Sequence, residues 1–215
     1  KMQKNSYKTY LILVLIFFSN AFAAIGNAPI RLEDVEAKID VHDTESVSRG
    51  AKFFKTKCLA CHSLKFLTHD PVALDAGLKP EAMPSWGPES WDGHPPPDLS
   101  LVVPVMGADW VYTFLHSYYV DETKPLGFSN LLWKDTRMPN PFAADEGRKI
   151  KLDHYIHEDL SGNLPPYYTV LRLEEPGMMS YDDFDQSLID LMAFLTHAGE
   201  PQKDDREKLG IWVLL

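Results

Sequence analysis

Apolar residues fall along this chain in blocks of different period. From Thr44, Val47, Ala51, Phe54 and Cys58 recur at i, i+4, i+7 and i+11, one face of a helix whose start Asp43 or Thr44 can cap. A second helical stripe, Trp110, Val111, Phe114, Leu115 and Tyr118, lies within Gly107 to Val120. A third runs from about Tyr181 to His197 through Phe184, Leu188, Leu191 and Leu195, with Ser180 as its cap and Gly199 just past its end. The segments between follow no such period. Leu64 to Asp98 is broken by Pro71, Pro80, Pro84, Pro88 and Pro95-Pro96-Pro97, and is predicted to be an ordered loop; Leu126 to Leu173 is predicted irregular, with a turn over Ser161 to Pro166. The pattern predicts a mainly α domain with long loop insertions.

The two ends have patterns of their own. Lys1, Lys4 and Lys8 precede the unbroken apolar run Leu11 to Phe18, which is followed by Asn20-Ala21-Phe22-Ala23-Ala24. This order of charge, short apolar core and small residues reads as a secretory signal peptide over 1–24, since a membrane span needs about 20 apolar residues. Near the other end, Arg206 and Lys208 lead into Leu209-Gly210-Ile211-Trp212-Val213-Leu214-Leu215. A charged edge, a tryptophan and continuous apolar residues resemble the first turns of a membrane anchor, with an amphipathic turn packed on the domain as the alternative. The expected division is a signal peptide over 1–24, one domain over 25–203, and a linker with the start of an anchor over 204–215.

Composition adds charge to this outline. The chain has 215 residues, 45% of them hydrophobic, enough for one domain with a true core. Its formal net charge is −10, and losing the three lysines of 1–24 would take it to −13. A strongly acidic domain argues against nucleic acid as a partner and suits a cationic one steered by long-range attraction, or simply keeps the protein in solution.

Both cysteines of the chain lie in Cys58-Leu59-Ala60-Cys61-His62, at the end of the first apolar stripe. That spacing is the attachment motif of a c-type haem: two thiols add to the porphyrin vinyl groups and the next imidazole binds iron. Cys58 and Cys61 are therefore the candidate thioether anchors and His62 the candidate proximal ligand. A thioredoxin-like redox pair would follow a strand and open a helix, and a zinc site would need two further ligands from scattered histidines. Tyr118 is a candidate hydrogen-bond donor to a haem propionate, against plain core packing of an aromatic stripe. His42, His69, His94, His154 and His157 lie in polar or proline-rich segments and are expected to be exposed, and His197 suits the negative end of a helix.

The order of these motifs resembles one family, cytochrome c1, the haem subunit of the quinol to cytochrome c reductase or cytochrome bc1 complex. The residues that carry the resemblance are Ser48-Arg49-Gly50-Ala51-Lys52-Phe53-Phe54, Cys58 to Lys65, Pro96-Pro97-Asp98-Leu99-Ser100, and Gly107-Ala108-Asp109-Trp110-Val111-Tyr112. Met138-Pro139 and Gly199-Glu200-Pro201, with Arg206, Leu209 and Gly210, complete it. The resemblance implies a class I cytochrome c-like haem domain, one covalent haem c, and a C-terminal transmembrane helix. Haem contacts at Pro97 and Leu99 are implied as well. It further implies one-electron transfer from a Rieske-type iron-sulfur protein to a soluble c-type cytochrome, and association with cytochrome b in a dimeric complex. The haem domain would lie on the periplasmic side of the inner membrane. On its own such a chain is an electron carrier, and part of an oxidoreductase only within the complex.

For the sixth iron ligand the resemblance points to Met138, because Met138-Pro139 matches the family's Met-Pro pair and Pro139 fixes the backbone there. Met192 falls on a helix beside the apolar stripe and reads as core; Met178 and Met179 directly precede the cap Ser180; Met83 and Met106 flank the Pro-Pro-Asp-Leu run. The competing class is a haem enzyme or sensor, peroxidase-like, with an open distal position where His116 or His154 would act on a bound ligand. A c-type peroxidase usually carries a second haem motif, which two cysteines cannot supply.

Overall fold

The computed structural model describes residues 33–155, 167–202 and Arg206, Leu209, Gly210 and Val213. In chain order the elements are α1 (Thr44–Lys57), α2 (Pro71–Asp75), α3 (Val102–Met106), α4 (Ala108–His116), β1 (Tyr118–Val120), β2 (Phe128–Asn130), α5 (Ala143–Glu146), β3 (Gly147–Tyr155), β4 (Tyr167–Pro176) and α6 (Tyr181–Gly199).

The first and last helices form the centre. Asp43 starts α1 by accepting from the N–H groups of Glu45 and Ser46, and Ser180 starts α6 by accepting from the N–H of Asp183, so each cap pairs otherwise orphaned donors. The two helices cross so closely at Gly50 that an added Cβ would lie 2.0 Å from the carbonyl oxygen of Asp190 and 2.8 Å from the Cβ of Phe194. Only hydrogen fits there. Above the crossing Phe54 meets Phe194 edge-on at 5.8 Å. Beside it the buried Asp190 accepts from Ser46 Oγ at 2.7 Å, from Gln186 Nε2 at 3.1 Å, and from both Nε and Nη2 of Arg49 at 2.6 and 2.9 Å. A buried carboxylate is costly unless its lone pairs are met, and here four donors meet them. Phe142 extends the core outward, stacked on Phe53 at 5.6 Å and edge-on to Phe184 at 5.4 Å.

Three expectations need correction. The proline-rich stretch from Leu64 is not free of secondary structure: Pro71 opens α2 and Pro80 opens a short 3-10 turn, Pro80–Ala82. Proline at a first helical position lacks only an N–H that would be unpaired anyway, and Asp70 caps α2 by accepting from Ala73 N. The second long helix ends at His116 rather than Val120. There Asn130 Nδ2 donates to the carbonyl of Phe114 at 2.7 Å, and the aromatic and β-branched Tyr118-Tyr119-Val120 pairs antiparallel with β2.

The third correction is the largest. Much of the segment expected to be irregular is a long antiparallel hairpin, β3 with β4, so the domain is mixed helix and strand with helix predominating. Gly147 begins it at φ +98°, where a Cβ would meet the carbonyl oxygen of Glu175 at 2.2 Å. Its root is bound to the helices by buried charge: Lys57 Nζ reaches Asp145 Oδ2 at 2.5 Å, and Lys149 Nζ reaches Glu146 Oε1 at 2.5 Å and the carbonyl of His116.

The expected signal peptide over 1–24 lies outside the described residues. Among the described residues no helix is long and apolar enough to cross a membrane. Of the expected anchor start, Arg206, Leu209, Gly210 and Val213 have helical backbone. Arg206 Nη2 bonds Glu200 Oε2 at 2.7 Å, and Leu209 and Val213 are exposed.

Candidate functional site

The haem-attachment motif begins where α1 stops. Cys58 is the C-terminal cap of α1, and its carbonyl accepts from the N–H groups of both Cys61 at 3.0 Å and His62 at 2.8 Å. One tight turn therefore gathers both thiols and the imidazole. The two cysteines are free and partly buried, while His62 is buried. Burial pushes the Cys58 thiol up to about 12, with Cys61 adding to the rise and Lys57 opposing it. A redox-active C-x-x-C pair needs the reverse, a thiolate favoured by a helix N-terminus. Here the motif sits at a helix C-terminus, whose partial negative charge disfavours thiolate.

His62 is oriented by the proline run. Its Nδ1 lies 2.8 Å from the carbonyl oxygen of Pro97. A carbonyl can only accept, so Nδ1 carries the proton and Nε2 keeps its lone pair. Burial lowers the imidazole's proton affinity, against the opposing influence of Pro97 and Asp98, so the neutral form is favoured. Two free thiols on one turn and a neutral imidazole with a fixed tautomer are the donor set a c-type haem requires.

Asp98 is the hub of this loop and was not singled out from the sequence. It accepts from Ser63 Oγ at 2.6 Å, from Lys65 N at 2.8 Å and from Ser100 N at 3.0 Å, while Leu99 N donates to the carbonyl of Ser63 at 2.9 Å. Two strands of loop, 62–66 and 97–100, are thus laced around one carboxylate. Beyond its place in the Pro96 to Ser100 motif, the hint in the sequence is an Asp two residues before a Ser, the spacing of an Asx turn. Burial raises the Asp98 carboxyl, but the bonds from Ser100, Ser63 and the N–H of Lys65 outweigh it and hold the group below the usual carboxylate range. A lowered folded value contributes stability that is present above the unfolded value, about 4, and is lost as pH falls through the folded one. Asp98→Asn should therefore be less stable than the parent at pH 6 by about 1–3 kcal/mol. The gap should close below about pH 4. Denaturant titrations at the two pH values check this.

Leu99 is partly buried and packs on the core. Tyr118 is fully buried, its ring edge-on to Phe114, and its hydroxyl donates to the carbonyl of Met138 at 3.1 Å. Met138 is partly buried against the core, and its own N–H donates to Thr136 Oγ1 at 3.2 Å. Trp86, which carried no signal in the sequence, donates its indole N–H to the carbonyl of Cys61 at 2.8 Å. Among the histidines, exposed His94 bonds the carbonyl of Asp92, and His197 Nε2 pairs with Asp70 Oδ2 at 2.9 Å. His116 is held in a polar cluster, Nδ1 on Glu146 Oε1 at 3.2 Å and ring against Tyr112 and Phe184.

The relatives found by comparison with known proteins include the following three. The chain is 35% identical to the cytochrome c1 of Allochromatium vinosum over 97% of its own length and 91% of that protein's. It is 31% identical to a protein of Nitrosomonas europaea named ammonia monooxygenase gamma subunit, over 95% of this chain and 88% of the relative. A 23% identity links it to the mitochondrial cytochrome c1 heme protein of Neurospora crassa, over 84% of this chain and 59% of the relative. No family model matches the chain.

Proposed function

The chain belongs to the cytochrome c1 family, and from that membership we propose that it is the electron-transfer subunit of a cytochrome bc1 complex. It relays one electron at a time from a Rieske-type iron-sulfur protein to a soluble c-type cytochrome. The family's cofactor is a covalent haem c, and Cys58-Leu59-Ala60-Cys61-His62 has its attachment spacing. When bound, that group supplies a one-electron iron couple.

The chain's own residues have separable tasks in this proposal. Cys58 and Cys61 hold the cofactor covalently, and His62 presents Nε2 to the metal. Pro97 fixes the tautomer and plane of that imidazole through its carbonyl, and Asp98 fixes Pro97 by lacing the two loops together. Met138 would supply the second protein ligand to the iron, with Tyr118 holding its backbone. Pro97 and Leu99 border the cofactor. Two protein ligands leave no coordination site for a substrate, which suits a carrier and not a peroxidase or gas sensor. Of the two histidines that an open site would use, His116 is engaged with Glu146 through Nδ1, and the side chain of His154 lies outside the described residues. Cytochrome b, the membrane anchor and the periplasmic side are proposed on the family's pattern, together with the acidic surface that would attract a cationic acceptor.

The observation that carries the proposal is the His62 Nδ1 to Pro97 bond beside two free thiols, in a chain 35% identical to a cytochrome c1 along nearly its whole length. The relative named as an ammonia monooxygenase subunit gives a second reading, a carrier serving an oxygenase assembly. A reduced absorption spectrum with and without carbon monoxide, run after acid-acetone extraction of a parallel sample, tests the proposal. The haem should stay on the protein, and carbon monoxide should leave the spectrum unchanged. Complete extraction, or rapid formation of a carbonyl adduct, would overturn it.

A further inference from the structure

The segment 84–97 leaves the haem-attachment loop and returns to it. At one foot the Trp86 indole N–H donates to the carbonyl of Cys61, and at the other the carbonyl of Pro97 accepts from His62 Nδ1, both at 2.8 Å. The feet of this arch rest on adjacent residues of the motif. At its crest, within Ser90–Gly93, Trp91 and Asp92 take left-handed backbone angles, φ 56° and 54°. Such angles are unfavourable for a bulky side chain. The turn sets the Trp91 ring edge-on to Trp86 at 5.7 Å. Despite this pairing the rings stay in solvent, Trp86 40% and Trp91 45% exposed.

Along the chain the charge of the arch has one sign, and exposed Lys65 on the attachment loop is the nearby cation, beside Asp98. No lysine or arginine occurs between Lys79 and Lys124, a stretch that contains Glu81, Glu89, Asp92, Asp98, Asp109, Asp121 and Glu122. Glu81, Glu89 and Asp92 are exposed, and the last two flank Trp91 in the chain. Exposed aromatic rings with a charged, hydrated rim have the make-up of a contact centre between proteins. We propose that the Trp86–Trp91 pair is the seat of a positively charged soluble redox protein, whose lysines meet Glu81, Glu89 and Asp92. The inference rests on the electron-transfer reading and names the partner surface that reading leaves open. A partner seated on Trp86 would lie one hydrogen bond from the backbone of Cys61, a residue that carries the cofactor. Acidic residues would set the rate of encounter, and the rings would set orientation and residence.

Stopped-flow oxidation of the reduced, haem-loaded full chain by a lysine-rich soluble cytochrome c tests this, at low and high ionic strength. A small cobalt complex serves as a second oxidant that needs no docking. Trp91→Ala should slow the reaction with the cytochrome about tenfold, a modest effect for truncating an aromatic anchor at the centre of an interface. The cobalt rate and the haem spectrum should not change. The double variant Glu89→Gln, Asp92→Asn should flatten the dependence on salt, since fewer charges remain to be screened, and it carries the test if Trp91→Ala fails to fold. Parent-like cytochrome rates and salt dependence in these variants would overturn the seat alone. A parent protein that reduces the cobalt complex but no cytochrome would overturn the electron-transfer reading beneath it.

Discussion

Met138→Leu should keep its covalent haem and lose on the order of hundreds of millivolts of midpoint potential. A thioether opposite histidine favours the reduced iron more than a second nitrogen ligand or an open position does, and leucine supplies no donor. The loop that carries Met138 is held in place: Thr136 Oγ1 accepts its N–H, the buried Tyr118 hydroxyl donates to its carbonyl, and its side chain lies against the core. The other methionines have different settings. Met192 is fully buried within α6, Met178 is 77% exposed, Met106 lies in the exposed end of α3, and the sulfur of Met83 accepts from Leu64 N at 3.4 Å. The variant should also lose the weak near-infrared sulfur-to-iron band and admit carbon monoxide. A parent-like band and potential would move the ligand to another methionine, with Met106 next in line.

Gly50→Ala carries the second large effect, on stability. In an ordinary helix interior this change stabilises by about 1 kcal/mol, because alanine has the higher helix propensity. At the crossing of α1 and α6 the new methyl would stand 2.0 Å from a backbone oxygen that cannot rotate away. Steric cost outweighs propensity there, and opening the crossing also pulls Arg49 and Ser46 from the buried Asp190 carboxylate. A net loss of about 2–3 kcal/mol is expected, in the range of overpacked cores. Denaturant unfolding of the haem-loaded protein should show a lower midpoint with an unchanged slope. A variant as stable as its parent would mean that the two helices are not held at this distance.

The three longer helices were legible because their apolar residues keep one period long enough to be counted, and because Asp43 and Ser180 mark two of the starts; the four- and five-residue helices α2, α3 and α5 are too short to show a period. The hairpin β3–β4 was not. Lys149, Ile150, Lys151 and Leu152 do alternate, but over too few residues to outweigh the glycine and prolines that follow. Strand pairing is also a long-range fact, set by partners some twenty residues away. The haem-binding motif was legible in full, since its chemistry demands a fixed spacing. What orients it was legible only in part. Pro97 was named as a haem contact, whereas its carbonyl on His62, the Asp98 hub and the Trp86 foot depend on how distant loops fold together. Tyr118 was read for its hydroxyl, and the hydroxyl is spent on the loop of Met138.

Relay of electrons by this chain from a quinol-driven iron-sulfur protein can be tested in solubilised native membranes. Affinity purification of the full chain in mild detergent, followed by addition of a quinol, would be monitored at the α-band of the c-type haem. Rapid reduction of that haem is expected, in a preparation that also contains b-type haem and an iron-sulfur subunit. Reduction should cease when the iron-sulfur subunit is stripped and resume when it is restored. A haem that copurifies without either partner, or that quinol reduces equally well in the absence of the iron-sulfur subunit, would contradict it.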